Sequence, residues 1–247
     1  MRGLGYLPDP EDSRDRLHDA LGLATTPPPS ASLERWMAPI PNQLNTSSCV
    51  GQAMRMGFAV EESSAAAAIT APTSALGHYF NARAQNGVEH EDVGTWLRSA
   101  FKALKYFGPL REDDWPFDAS KVNVRPRWRA YQNAFDARGD HGYYRIYGDG
   151  DTRLDAIRRA VASGHPVLFG TQVAESFLPD SGPPLIDVPR GENIAGGHAM
   201  CVVAYEPTRF LVANSWGGAW REAGCAWLTE NYLAWEDTRD IWVLSLG

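Results

Sequence analysis

The sequence predicts an α+β fold, because its hydrophobic spacing changes from helical to strand-like along the chain. Four segments carry apolar residues at the spacing of amphipathic helices, near residues 48–58, 73–85, 95–106 and 153–163. Five short apolar or β-branched runs, separated by Gly, Pro and Asp, then predict strands at residues 167–171, 199–205, 210–214, 225–228 and 241–244. A mainly helical first half and a strand-rich second half favour two lobes with a cleft between them.

Local signals place the ends of these elements. Ser47 or Ser48 is expected to cap the first helix, and Thr152 the fourth. Gly108-Pro109 ends the third helix, because glycine and proline stop helices. Glu206-Pro207 predicts a turn between two strands.

The chain divides by composition into an arm and a folded domain. Residues 1–35 are rich in Pro, Asp and Ser and include Pro27, Pro28 and Pro29 in a row, which predicts an extended arm with a polyproline-like end. We expect residues 36–247 to form the domain, with a helical lobe at about 45–120 and a β-rich lobe at about 140–245.

Charge and hydropathy limit the partners and the location. The chain has 23 Lys and Arg against 30 Asp and Glu, a net charge of −7, whereas nucleic-acid-binding domains usually have a basic excess. The first 15 residues are acidic and lack an apolar stretch, and no window of 18 apolar residues exists, so neither a Sec signal nor a membrane span is expected. We therefore expect no nucleic-acid or membrane partner and a cytoplasmic protein, with a virion location or Sec-independent export as alternatives.

Cysteine and histidine usage argues against a disulfide scaffold and against a metal. The three cysteines are too few and odd in number for a disulfide framework, and Cys201 and Cys225 fall in predicted strands, where they are expected to be core thiols. Glu89-His90-Glu91-Asp92 is interpreted as a solvated loop, and the other histidines lack ligand spacing. No metal or other cofactor is predicted.

Four residues form a constellation suited to thiol chemistry: Cys49, His198, Asn214 and Gln43. Cys49 lies at the start of a predicted helix, whose partial positive charge favours a thiolate, and a neighbouring imidazolium would favour it further. Asn214 can fix the histidine ring, and Trp216 can shield that bond from water. The Cys49 backbone N–H and the Gln43 side-chain amide can stabilise an oxyanion.

The predicted topology brings these residues together. His198 opens one strand and Asn214 ends the next, and a hairpin places the two ends of such a pair side by side. Cys49 belongs to the helical half, so the pair is expected to meet it across the cleft.

These motifs resemble those of the papain-like cysteine peptidases. The similarity rests on Gln43 followed by Ser48-Cys49, on Gly197-His198-Ala199, and on Asn214-Ser215-Trp216-Gly217. The sequence around the cysteine departs from the family signature, since it lacks a preceding Cys-Gly and has Val50 in place of an aromatic residue. A second set of stretches resembles the bacterial and phage branch of this family: 79–83, 92–98, 103–108 and 114–117.

The resemblance implies a papain-like two-lobe fold and a cysteine-type endopeptidase with Cys49 as nucleophile, His198 as general base and acid, Asn214 as its orienting partner and Gln43 as oxyanion donor. The peptide or protein substrate is expected along a cleft bordered by five residues, namely Gly94, Thr95, Trp96, Gly197 and Trp216. The arm before Cys49 is short for an inhibitory pro-segment. Either the enzyme needs no zymogen form, or the Pro-rich arm performs a smaller version of the inhibitory task.

Two other functions stay open at this stage. A catalytically idle protein of the same fold could act as a virion, secretion-system or assembly component with phage or assembly partner proteins. Alternatively, the same thiol could serve an amidase that cuts cell-wall peptides.

Overall fold

A computed structural model of the protein describes residues 2–23 and 26–246. Met1, Ala24, Thr25 and Gly247, which the predicted arm and domain include, lie outside the described residues. The helices are α1 (Cys49–Ala66), α2 (Ala75–Ala84), α3 (Leu97–Phe107), α4 (Trp128–Asp136), α5 (Gly150–Ala162) and α6 (Glu230–Ala234). The strands are β1 (Ala31–Ser32), β2 (His141–Ile146), β3 (Val167–Ala174), β4 (Leu185–Ile186), β5 (Ile194–Glu206), β6 (Arg209–Ala213), β7 (Cys225–Thr229) and β8 (Thr238–Leu246).

The strands form one sheet in the order β2-β8-β3-β5-β6-β7-β4, and β1 pairs with the end of β5. Neighbours are antiparallel except for the parallel pair β4 and β7. Strands β5 and β6 form the predicted hairpin, with Cys201 opposite Ala213. The predicted α+β fold is confirmed.

Helix α1 lies between helices α2 and α3 on one side and the sheet on the other. Two glycines permit its close approach to both sides. A Cβ at Gly51 would lie 2.4 Å from the Ala75 carbonyl oxygen of α2, and a Cβ at Gly57 would lie 2.5 Å from Leu168 Cδ1 of β3. This packing fixes the first residue of α1, Cys49, at the junction of helices and sheet.

Several local predictions differ from the structure. Ser48 occupies the N-cap position of α1, but its hydroxyl bonds Thr46 instead of capping the helix. Helix α5 begins after Asp149, upstream of the predicted Thr152 cap. Helices α4 and α6 and strands β1, β2 and β4 were not predicted. The buried face of α4 consists of Ala130, Tyr131 and Ala134.

The arm lies against the domain for much of its length. It contains a 3-10 helix at His18–Leu21 and, just before the domain, a second at Glu34–Trp36. Its proline-rich part is held by the Tyr205 hydroxyl, which donates to the Pro28 carbonyl at 2.7 Å. Among the described residues, no helix combines the length and the apolar character that crossing a bilayer requires.

Candidate active site

Cys49 is the first residue of α1 and is completely buried. The backbone N–H groups of Val50, Ala199, Gly5 and Tyr6 lie near its sulfur and act to lower the pKa of the thiol. Val50 belongs to the same helix turn, whereas Ala199 belongs to β5 and follows His198 directly. The sulfur therefore lies where the helical part of the chain meets β5.

His198 is held in one orientation by two neighbours. Its Nε2 bonds Asn214 Oδ1 at 2.7 Å, and its ring stacks on Trp216 with 4.5 Å between ring centroids. Asn214 Oδ1 also accepts the Ser215 backbone N–H at 2.7 Å, which identifies this atom as an acceptor and places the imidazole proton on Nε2. Within the described residues, His198 Nδ1 has no hydrogen-bond partner, so its lone pair is free to take a proton.

Gln43 lies in the same site, and its amide is fixed at both ends. Its Oε1 accepts the Ser215 hydroxyl at 2.5 Å, while its Nε2 donates to Thr46 O at 2.8 Å and to Gly3 O at 3.0 Å. Ser215 thus orients Gln43, a role that the sequence motif alone did not reveal. Because Nε2 points at a carbonyl oxygen of the arm, it is placed to donate to other carbonyl oxygens that enter the cleft.

Asp92 positions the segment that precedes Cys49. Its two carboxylate oxygens accept the Ser47 backbone N–H at 3.0 and 3.1 Å, and Oδ1 accepts the Tyr79 hydroxyl at 2.7 Å. Tyr79 in turn accepts the Gly94 N–H at 2.9 Å. The sequence analysis placed Asp92 in a solvated acidic loop, whereas the structure uses it to tie the cysteine loop to the loop that carries Gly94.

The beginning of the arm fills the cleft and pairs with both of its walls. On one wall, the Gly5 and Tyr6 N–H groups donate to Gly197 O at 3.0 and 3.1 Å. On the other, Thr95 N–H donates to Gly5 O at 2.9 Å, and Leu7 N–H donates to Thr95 O at 3.1 Å. Two of the predicted cleft residues, Gly197 and Thr95, therefore bind a peptide backbone here, and the peptide is the protein's own.

Glycine on both walls makes this approach possible. A Cβ at Gly94 would lie 2.3 Å from Gly5 O, and the residue has φ +82°, in the left-handed region that favours glycine. A Cβ at Gly197 would lie 2.2 Å from Tyr6 O. The predicted cleft residue Trp216 also contacts the arm, since its Nε1 donates to Gly3 O at 3.4 Å. Trp96 is half-buried and occupies the N-cap position of α3.

Burial under the arm changes the protonation expected of the pair. Burial raises the pKa of the Cys49 thiol to about 12, although the four backbone N–H groups oppose this. Burial likewise lowers the pKa of His198 to about 4, against the effect of its bond to Asn214. The thiolate–imidazolium pair expected from the sequence is therefore not favoured in this arrangement, because the covered site excludes the water that would stabilise both charges.

A network of buried charges anchors the arm further along. Asp15 of the arm accepts two bonds from Arg98, at 2.8 and 2.6 Å, and one from Arg145 at 3.0 Å. Asp9 accepts the Trp242 indole N–H at 2.9 Å. Arg145 also pairs with Asp240 of β8. The sequence analysis used these acidic arm residues only to exclude a signal peptide, because their arginine partners are distant in the chain.

The remaining cysteines lie in the core. Cys201 of β5 is fully buried and Cys225 of β7 is 8% exposed, and both are free thiols. Burial raises the pKa of Cys225 to about 12, which makes it a poor nucleophile. Across residues 2–23 and 26–246, no group of three or more His, Cys, Asp or Glu side chains is arranged to hold a metal ion.

Comparison with known sequences identifies one protein family. Residues 84–236 match the family described as papain family cysteine protease, a stretch that includes His198 and Asn214 but begins after Cys49. An uncharacterized peptidase C1-like protein of Acanthamoeba polyphaga mimivirus is 32% identical over 207 residues, which cover 80% of this chain and 66% of that protein. This relative is encoded by a giant virus, so the assignment to a bacterial or phage branch stays a prediction.

Solved structures show the same fold. Xylellain, a cysteine protease from Xylella fastidiosa, superposes with a TM-score of 0.85 at 24% identity and covers 100% of this chain and 97% of its own. Digestive procathepsin L 3 from Tenebrio molitor larval midgut has a TM-score of 0.71 at 17% identity, and the match covers 99% of this chain and 76% of that protein. The bromelain protease from Ananas comosus superposes with a TM-score of 0.66 at 19% sequence identity, and the match covers 89% of this chain and 100% of that protein. These likenesses establish the papain-like fold.

Proposed function

Because the chain belongs to the papain family of cysteine proteases, we propose that it is a cysteine-type peptidase with Cys49 as its nucleophile and His198 as its general base and acid. The observation that carries this proposal is the His198 ring, whose Nε2 is held by Asn214 at 2.7 Å while Nδ1 is unpartnered among the described side chains. The backbone N–H of Ala199, the next residue, lies near the Cys49 sulfur and acts to lower the pKa of the thiol. A neutral imidazole in this tautomer is ready to accept the thiol proton.

The reaction follows from these positions. Cys49 transfers its proton to His198 Nδ1, and the thiolate attacks the carbonyl carbon of a bound peptide. The Gln43 amide and the Cys49 N–H stabilise the oxyanion that forms. His198 returns the proton to the leaving amine, which leaves a thioester on Cys49. His198 then activates a water molecule, whose attack releases the acid and restores the thiol.

The position of the arm supports a latent enzyme. The arm groups near the sulfur are the N–H groups of Gly5 and Tyr6, which a thiolate does not attack, and the arm occupies both backbone-binding walls. A substrate can therefore reach Cys49 only after residues 3–7 leave the cleft. Departure of the arm also returns water to the site, which favours the thiolate–imidazolium pair.

The test uses the full chain with Asp15→Ala, a change that removes the buried ion pairs of the arm. This protein is expected to hydrolyse casein and to take up one equivalent of a thiol-directed epoxide on Cys49. Adding Cys49→Ala should abolish both, whereas adding Cys201→Ala, the matched control in the core, should preserve both. An Asp15→Ala chain that is labelled on Cys49 but leaves casein intact would contradict the proposed activity.

A further inference from the structure

The side chain of Tyr6 occupies a closed pocket beside the reactive cysteine. Tyr6 is 3% exposed, and its ring lies directly against Gly170 of β3, where a Cβ would come within 2.0 Å of the ring. At the end of the pocket, the Tyr6 hydroxyl donates to Asp240 Oδ2 at 2.5 Å. The pocket thus has a wall shaped for an aromatic ring and a carboxylate at its base.

The backbone directs Asp240 into this pocket. The register between β3 and β8 shifts between Leu168 and Gly170, which is the mark of a β-bulge on β8. Asp240 lies at this irregularity with φ 49°, an uncommon value for a residue other than glycine. Bulges re-aim side chains next to binding sites, and this one points a buried carboxylate at the bound arm.

The two oxygens of Asp240 have different partners. Oδ1 is paired with Arg145 of the domain, whereas Oδ2 accepts its two hydrogen bonds from the arm, from the Tyr6 hydroxyl and from the Asp9 N–H at 2.6 Å. When the arm leaves, Oδ1 keeps its arginine and Oδ2 loses both donors. A side chain that then enters the pocket meets Asp240 Oδ2 as an acceptor without a hydrogen-bond donor.

We propose that this pocket selects a tyrosine side chain of the substrate, with Gly170 admitting the ring and Asp240 accepting the hydroxyl. This inference rests on the proposed peptidase function, since it assumes that substrates bind where the arm binds. A peptide that pairs with Thr95 and Gly197 beside Cys49, as the arm does, places a side chain at the same opening.

The charges around the pocket favour tyrosine over a basic side chain. The arm contributes Asp9 and Asp15, and both leave with it, so that Arg145 is left paired with Asp240. A lysine or arginine entering the pocket would meet a carboxylate whose charge Arg145 already neutralises. Phenylalanine fits the same space but leaves Oδ2 unpaired, and sites built to bond a hydroxyl discriminate strongly against the analogue that lacks it.

The experiment measures binding, so that turnover is not required. The full chain carries Cys49→Ala, which prevents cleavage, Asp15→Ala, which releases the arm, and Tyr6→Ala, which removes the ring that would refill the pocket. The probes are fluorescent octapeptides of alanine and glycine with a single central tyrosine, phenylalanine or arginine, and fluorescence anisotropy gives each dissociation constant. Residual competition by the arm weakens the binding of all three peptides by the same factor. The ratios of their dissociation constants therefore depend on the pocket alone.

We expect the tyrosine peptide to bind about tenfold or more tightly than the phenylalanine peptide, and the arginine peptide to bind most weakly. Adding Asp240→Ala should bring tyrosine and phenylalanine to within about twofold, because the acceptor that distinguishes them is gone. Asp240→Asn, which keeps an acceptor oxygen, should retain part of the preference and covers the case in which the alanine variant unfolds. Gly170→Ala should weaken both aromatic peptides, since the added methyl group occupies the space of the ring.

Equal binding of the tyrosine and phenylalanine peptides, tightest binding of arginine, or no binding of any peptide would each overturn the inference. These outcomes are independent of the proposed activity. A tyrosine preference in a chain whose Asp15→Ala form leaves casein intact would refute the peptidase and preserve the pocket. Cleavage of casein without a tyrosine preference would support the peptidase and refute the tyrosine pocket.

Discussion

Replacing Asp15 by alanine should release the arm from the cleft. The Asp15 side chain is 4% exposed and pairs with Arg98 and Arg145, whose side chains are 6% and 14% exposed. Removing one partner of such a buried pair costs about 3 to 5 kcal/mol, and each 1.4 kcal/mol corresponds to about a factor of ten. The fraction of molecules with an undocked arm should therefore rise by about a hundredfold to a few thousandfold.

The rate of Cys49 alkylation measures this fraction, because the covered sulfur reacts only when the arm is displaced. Iodoacetamide labelling followed by peptide mapping reports Cys49, Cys201 and Cys225 separately. The two core cysteines serve as internal controls, since faster labelling of all three would indicate global unfolding. Asp12→Ala is the matched arm variant, because its partners Arg14 and Lys102 have side chains that are 82% and 42% exposed, and such surface pairs contribute little.

Two results would refute this reasoning. One is an Asp15→Ala chain whose Cys49 reacts at the rate of the unmodified chain, which would mean that the ion pairs do not hold the arm. The other is an equal acceleration by Asp12→Ala, which would mean that any loss of arm charge has the same effect and that burial is irrelevant.

Three further predictions follow from single contacts. Burial and the charge of Asp240 raise the pKa of Asp9 from 3.8 to about 7, so the docked arm favours the protonated carboxyl group. Docking is therefore strongest below about pH 4 and weakens as the pH rises to 7. The rate of Cys49 alkylation, divided by the rate in the Asp9→Asn variant, should rise over that window, and a constant ratio would exclude control of docking by Asp9. His198→Ala in the Asp15→Ala chain should lower casein hydrolysis by about 10²- to 10⁴-fold with the melting temperature retained, and an unchanged rate would rule out general-base catalysis by His198. Gly57→Ala should destabilise the fold by about 1 to 3 kcal/mol in urea unfolding, because its Cβ meets Leu168 at 2.5 Å, and unchanged stability would show that α1 can shift.

The sequence was sufficient for those parts of the fold and site that depend on local pattern. The apolar stripe of α3 has strong helical periodicity, β5 and β6 contain continuous apolar runs, and the short turn between the two strands leaves one way to pair them. That pairing brings His198 to Asn214, so one motif and one hairpin were enough to predict their contact. Helix α4 was missed although Trp128, Tyr131 and Phe135 stand at helical spacing, so this helix was within reach of the sequence pattern.

Sequence patterns could not predict where the arm docks in the cleft. Its contacts join Gly5 to Gly197 and Asp15 to Arg98 and Arg145, and no local signal encodes pairs so distant in the chain. The charged Cys49–His198 pair stays a prediction for the uncovered site, because burial under the arm opposes both charges. A helix N-terminus favours a thiolate only where the surroundings can solvate it, and the arm removes that solvent.

Trapping the covalent intermediate tests the central claim most directly. The Asp15→Ala chain is mixed with an activated ester, the reaction is quenched with acid during turnover, and the acylated residue is located by mass spectrometry. The account predicts a thioester on Cys49, with Cys201 and Cys225 unmodified. Ester hydrolysis that proceeds with no acyl group on Cys49, or with the acyl group on another residue, would contradict it.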